Sequence, residues 1–180
     1  MICGAVQIPG KMSIISGIAS HETDTNEQEV KCMARQQSLD ILAAGKNQWN
    51  TWRQTYPDVQ AFEPDLHEAD LCNADLSGID FHGADLTEAN LQRADLRHAN
   101  LQNTDLRHTN LQDADLSDAN LYRARLHGAE LRGAKLCRAN LTEADLSNAD
   151  LRGADFLGAD LTKAILKHAQ FDETKASAKP

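Results

Sequence analysis

The chain has 180 residues, 4% aromatic residues, four cysteines and a formal net charge of −9. So few rings exclude an ordinary aromatic-rich globular core, and the acidic balance argues against general affinity for nucleic acid or anionic membrane, which select basic surfaces. Cys3, Cys32, Cys72 and Cys137 form no CxxC pair and no metal-ligand spacing, which suits a reduced, cytosolic chain; no apolar run approaches the roughly 18–20 residues that span a bilayer.

Residues 1–25 read as a disordered leader. Met12 to Ser20, behind Lys11, is a faint imitation of a signal peptide, short, interrupted by Ser and Gly, and preceded by one charge. Export is therefore the lesser alternative, and a translation start at Met12 is another. Residues 26–63 carry helical signals. Asn26 can cap a helix, and Glu27 and Glu29 suit its positive first turn. Val30, Met33, Ala34, Ile41 and Ala44 fall near one face, with Leu39 and Leu42 close by, and Gly45 is a natural stop. A second short helix then carries Trp49 and Trp52 and ends before Pro57. Both tryptophans lie just upstream of a repeat array, and such arrays need atypical terminal units to cover their first rung. The expectation is an N-terminal α-helical cap with Trp49 and Trp52 packed on the first coil; a docking helix for a partner is the alternative.

The repeats occupy residues 64–171. Leu or Phe recurs at every fifth position from Leu66 to Phe171, giving 22 units, with Ala two residues earlier and Asp or Asn one residue earlier in most of them. A period of five fits neither a helix nor a plain strand. Short sides, each followed by a turn, do fit it, and four of them close a square coil of 20 residues. The result is an all-β solenoid of about 5.5 coils, roughly 26 Å long at a ladder spacing of about 4.8 Å. Leu and Ala are expected inside, with Asp or Asn and the two residues after the central one outside. Gly78, Gly83, Gly128, Gly133, Gly153 and Gly158 all fall two after the central residue, where a turn can use their permissive backbone. Thr104 and Thr109 replace the inner Ala and need backbone partners if buried.

Units such as Ala74-Asp75-Leu76-Ser77-Gly78 and Ala84-Asp85-Leu86-Thr87-Glu88 resemble the pentapeptide-repeat family. That resemblance implies a right-handed quadrilateral β-helix. The stretch from Leu39 to Arg53 also resembles a helical leader found ahead of such repeats in bacterial proteins. Most members of the family have no known catalytic activity, and a few bind DNA gyrase by imitating duplex DNA.

In a 20-residue coil, outer residues 20 apart are neighbours. Arg125, Glu130 and Lys135 break the Asp/Asn rule, yet Arg125 falls between Asp105 and Asp145, and Lys135 between Asp115 and Asp155. Arg123 faces Glu143 and Arg138 faces Asp118 in the same way. The basic belt is thus expected to be mostly paired. Arg132 and Arg152 stack on each other above Gln112 and are the candidate contact for an anion or acidic partner. Residues 65–88 hold seven acids and no Lys or Arg, whereas residues 89–171 hold 11 of each sign. A duplex imitator needs acid along its whole length, because DNA carries a charge about every 1.7 Å of axis.

No nucleophile–base set, phosphate loop or third ligand beside His108 and His127 is legible, so no enzyme, cofactor or metal is expected. Cys72 and Cys137, three coils apart, are beyond disulfide reach. Residues 172–180 read as a disordered tail too short to cap the array. The last coil is then an open edge carrying Ile165, Leu166 and Phe171, the candidate end for a homodimer. The functional expectation is a rigid protein-interaction scaffold with an unknown protein partner, no direct nucleic-acid binding and no membrane association. The alternative is a DNA-mimicking modulator of gyrase or another topoisomerase.

Overall fold

The structure, a computed structural model, describes residues 35–55 and 64–172. The leader, the expected cap Asn26, and Glu27, Glu29, Val30, Met33 and Ala34 lie outside the described residues, as does the tail from residue 173.

Among the described residues two helices precede the array: α1, described over residues 35–43, and α2, Lys46–Thr55. Gly45 separates them with a φ of 106°, a conformation that residues with a Cβ rarely adopt. Its N–H donates to the Leu42 carbonyl at 2.9 Å, closing α1, and its carbonyl accepts from Trp49 N–H at 3.1 Å, opening α2. Leu42 is buried and Leu39 and Ile41 partly so, whereas Ala44, placed by periodicity on the same face, is exposed because the helix has already ended.

From Asp65 onward the backbone stacks in 20-residue coils. Parallel bridges join Asp65 to Asp85, Asp70 to Asn90, Asp75 to Asp95 and Asp80 to Asn100, and the series continues to Asp150 and Gln170. Each bridge is a single residue, and among the described residues there is no continuous strand. The expected sides are that short for a physical reason: a turn bends the chain once per unit before a second consecutive residue can pair. In the first unit Ala69 N–H donates to Leu66 C=O at 3.0 Å, and Glu68 between them has a φ of 56°. A tight turn of this kind requires positive φ at its third residue. The same position holds Gly in six units, but Asn, Arg, His, Asp, Glu and Lys adopt it elsewhere.

Asp and Asn recur for a reason the period alone does not disclose. Asp65 Oδ1 accepts the N–H of His67 at 3.1 Å, and the same two-residue reach recurs at Asp85 to Thr87, Asn110 to Gln112 and Asp160 to Thr162. The carboxylate or amide oxygen thereby satisfies the one turn N–H that the ladder leaves free, as an Asx turn does.

Between coils each side makes three backbone bonds. On the first side, Leu66 N–H donates to Asp85 C=O at 2.8 Å, Glu68 N–H to Thr87 C=O at 2.9 Å, and Asp85 N–H back to Pro64 C=O at 2.9 Å. Inside, Leu86 through Leu146 are essentially buried, with Ala89 through Ala149 beside them wherever Thr does not intervene. Thr104 and Thr109 are fully buried, and their hydroxyls donate to the carbonyls of Phe81 and Leu86, each at 2.8 Å. Burial fades at the far end, where Phe156, Leu161 and Leu166 are only partly covered and no further coil lies on them among the described residues.

Replacing a mid-array ladder residue, Leu111→Ala, is expected to lower stability by about 2–5 kcal/mol, because a narrow stacked interior closes poorly around a cavity. Thr109→Val keeps the shape and removes one hydrogen bond, so about 1 kcal/mol is expected. Urea unfolding of both variants checks the order; equal losses would show that the apolar ladder is not the main restraint.

Candidate functional site

At the N-terminal end α2 lies on the fourth side of the first coil. Trp49 is fully buried, its ring 5.3 Å from that of Phe81 in an edge-on contact and 5.3 Å from that of Trp52. Its Nε1 donates to the Asp80 carbonyl at 2.7 Å. Asn50 Oδ1 accepts from Asp80 N–H at 2.9 Å, and Asn50 Nδ2 donates to Gly78 C=O at 2.9 Å. Arg53 donates from Nη2 to His82 C=O, and Arg35 of α1 donates to His67 C=O on the first side. These contacts cover backbone groups of the first coil that have no coil below them among the described residues.

The same helices alter the acidic first coil. Lys46 Nζ reaches Asp75 Oδ1 at 2.7 Å and Ser77 Oγ at 2.6 Å. Arg53 lies 3.9 Å from Asp80, and Arg35 lies 4.0 Å from Glu68. The cluster of seven acids without a base is therefore partly neutralised from outside the repeats. Sequence spacing within the array carries no trace of this, because the partners lie 27 to 33 positions upstream. The Lys46 ammonium, with Ser77 next in effect, holds the Asp75 carboxyl down to about 2.

Along the sides, charges neutralise their neighbours one coil away. Arg125 pairs with Asp105 at 3.0 Å, Arg123 with Glu143 at 2.7 Å, Lys135 with Asp115 at 3.4 Å, and Arg138 with Asp118 at 2.6 Å. A second pattern runs within single units: Arg97 grips Asp95, Arg107 grips Asp105, and Arg152 grips Asp150, each through Nε and Nη2. The turn places residues two apart side by side, which a reading by columns of 20 overlooks. Arg152 is thus engaged by Asp150 of its own unit rather than presented freely. Arg132 is exposed and acts on Asp150 only at longer range, while Gln112 turns to Glu130. The proposed pair therefore differs: Arg132 is the more available cation, and Arg152 is committed.

The rings of His108 and His127 meet edge-on, 5.7 Å between centroids, and among the described residues no group of three or more candidate ligands surrounds a metal position. His108 instead lies over Gly128, where a Cβ would come within 2.7 Å of its ring. Cys72 and Cys137 are free and partly exposed; burial, then Asp155, pushes the Cys137 thiol up.

The C-terminal end has a different character. Leu157 is 75% exposed, Ile165 52% and Phe171 49%, with Phe156 and Phe171 6.5 Å apart and Leu166 partly covered. The N–H groups of Phe156, Gly158, Leu161, Lys163, Leu166 and His168 have no backbone acceptor among the described residues. Among the described residues the two ends are therefore unlike: helices lie on one, and the other is a ladder edge with an apolar rim.

Such a stack of five-residue units, closed at one end by a helix pair, defines a capped β-solenoid. The chain belongs to the pentapeptide-repeat family: eight copies of the repeat match over residues 65–103, 99–136 and 139–175. Proteins of this family fold as right-handed quadrilateral β-helices and are in general structural or interaction proteins rather than enzymes. Crystal structures similar to this chain include Rfr23, a pentapeptide repeat protein from the cyanobacterium Cyanothece 51142, 29% identical over 68% of this chain and 95% of that one, with a TM-score of 0.40. HetL from Nostoc sp. strain PCC 7120, described as involved in heterocyst differentiation regulation, is 35% identical over 62% of this chain and 63% of its own, with a TM-score of 0.32. A pentapeptide repeat protein of the Arabidopsis thaliana thylakoid lumen is 35% identical over 55% and 69%, with a TM-score of 0.38. No curated protein matches the chain.

The Lys46–Asp75 contact makes a pH-dependent prediction. A carboxyl held below its ordinary value of about 3.9 contributes stability above that pH and loses it as pH falls through the folded-state value near 2. Lys46→Gln is expected to return the Asp75 titration towards the ordinary carboxylate range, with the Ser77 bonds retaining part of the shift. Carboxyl-carbon NMR titration of both proteins reads this directly. An unchanged Asp75 midpoint would exclude Lys46 as the main cause.

Proposed function

We propose that this chain is a non-enzymatic, rigid protein-interaction scaffold whose associating end is the last coil. The observation that carries the reading is the contrast in exposure along one ladder. Central residues are buried through most of the array, while Leu157, Ile165 and Phe171 are exposed beside backbone donors that have no backbone acceptor among the described residues. An open ladder edge with an apolar rim favours association with another chain. The occupant we assign to it is a second copy of this protein, giving an end-to-end homodimer. The four sides would then present patterned, largely neutralised faces to a protein partner. Arg132 is the best-placed cation for an acidic contact on them.

The gyrase-directed alternative drew on the acidic first coil. Its support is reduced, because Lys46, Arg53 and Arg35 lie against three of the seven acids and the remaining coils balance acid with base.

Sedimentation of the full chain at micromolar concentration is expected to give twice the monomer mass, and the double variant Ile165→Lys/Phe171→Lys to give the monomer. A parent that sediments as a monomer would overturn the homodimer. Gyrase supercoiling is expected to be unaffected by a molar excess of the protein; inhibition or protection would move the assignment to the topoisomerase alternative.

A further inference from the structure

The backbone and its neighbours hold the His108 and His127 rings together more firmly than a chance surface contact requires. The two residues lie on the same side of adjacent coils, and the His108 N–H donates to the His127 carbonyl at 3.1 Å. The rung above is tied likewise, Gly128 N–H to Ser147 C=O at 2.9 Å. Gly128 follows His108 in the column of turn residues, and its missing side chain leaves the space that the His108 ring occupies. A Cβ at that position would come within 2.7 Å of His108 Nδ1.

His127 is also fixed in its protonation pattern. Ser147 Oγ has one hydrogen and donates it to Asp145 Oδ1 at 2.6 Å, since a carboxylate only accepts. The 2.8 Å contact between Ser147 Oγ and His127 Nδ1 must then run from Nδ1–H to the hydroxyl oxygen. This leaves a lone pair on His127 Nε2, which has no hydrogen-bond partner among the described residues. Metal-binding imidazoles are oriented in this way, by a hydrogen bond from the other ring nitrogen. His67 has the same relay, through Thr87 Oγ1 to Asp85, but its Nε2 faces Glu68 at 3.5 Å. What sets His127 apart is the second imidazole beside it.

The two ring centres are 5.7 Å apart and the planes meet at 89°. Two imidazoles that share an ion at metal–nitrogen bonds of about 2.0–2.1 Å have centres about 5–6 Å apart. We propose that His108 and His127 form a two-imidazole site for a divalent transition-metal ion such as zinc, with water in the remaining positions. His127 binds through Nε2 as it stands. His108, exposed and without a hydrogen-bond partner for its ring among the described residues, turns about its side-chain bonds to present a nitrogen. Ser147 is a positioning residue. The charges around the site balance, because Arg107 and Arg125 both bond Asp105, at 2.7 and 3.0 Å, while Asp145 stands behind Ser147. No third side-chain ligand stands there among the described residues, so the ion is held in an open, exchangeable site rather than a closed structural one.

Zinc titration of the full-length, untagged protein tests this, read by calorimetry and by proton–nitrogen NMR of the imidazoles. Saturable binding in the micromolar range is expected, with His127 Nε2 and one His108 nitrogen shifting together. His108→Ala and His127→Ala are each expected to weaken this binding at least about tenfold. Ser147→Ala is expected to weaken it about tenfold by releasing the His127 ring, and His98→Ala, on another side, to leave it unchanged. Affinity is expected to fall towards pH 5, as protons compete for the nitrogens. If His127→Ala loses the β signal in circular dichroism, His127→Phe carries the same expectation, since it keeps a ring there and removes both nitrogens. Absence of saturable zinc binding overturns the site. So does binding that survives both histidine variants, that shifts only one of the two rings, or that Ser147→Ala leaves untouched.

Discussion

The structure depends on one repeated arrangement, the three backbone hydrogen bonds by which each side of a coil holds the side above it. Those bonds require that the chain return to the same place every 20 residues. A turn with positive φ at every fifth residue brings it back. The turn in turn depends on a side-chain oxygen two residues earlier to satisfy its spare N–H, which is why Asp and Asn recur. Leu and Ala fill what the closed coil leaves inside. Backbone pairing, turn chemistry and core packing thus all select the same period, the agreement between levels that favours a single native arrangement.

A structure built by repetition has no internal reason to stop, and its ends carry its individuality. At the first coil the missing neighbour is replaced by side chains from helix α2 rather than by backbone. Trp49, Asn50 and Arg53 reach groups that another rung would otherwise engage. At the last coil no equivalent appears among the described residues, where apolar side chains lie beside donors that have no described backbone acceptor. This asymmetry is the feature on which the proposed function rests.

Charge on the sides follows the same local logic. Most of the arginines on the sides pair with acids one coil away or with the Asp of their own unit, and exposed pairs of this kind add little stability. Their main consequence is that acid and base balance along the coils beyond the first. The first coil looks most acidic in sequence, yet it receives its cations from the helices.

Much of this was legible in the sequence. The unbroken register from Leu66 to Phe171 determines the coil, its 20-residue return, the inward Leu and Ala, the turn position of the glycines and the column neighbours such as Arg125 and Asp105. Each of these follows from local geometry repeated at constant spacing. The pairing of Arg152 with Asp150, the neutralisation of Asp75 by Lys46 and the replacement of a missing rung by Trp49, Asn50 and Arg53 were decided only in three dimensions. The first needs the curvature of the turn, which brings residues two apart side by side. The other two need the angle at which α2 settles on the first coil, and periodicity within the repeats contains no information about an element that lies outside them.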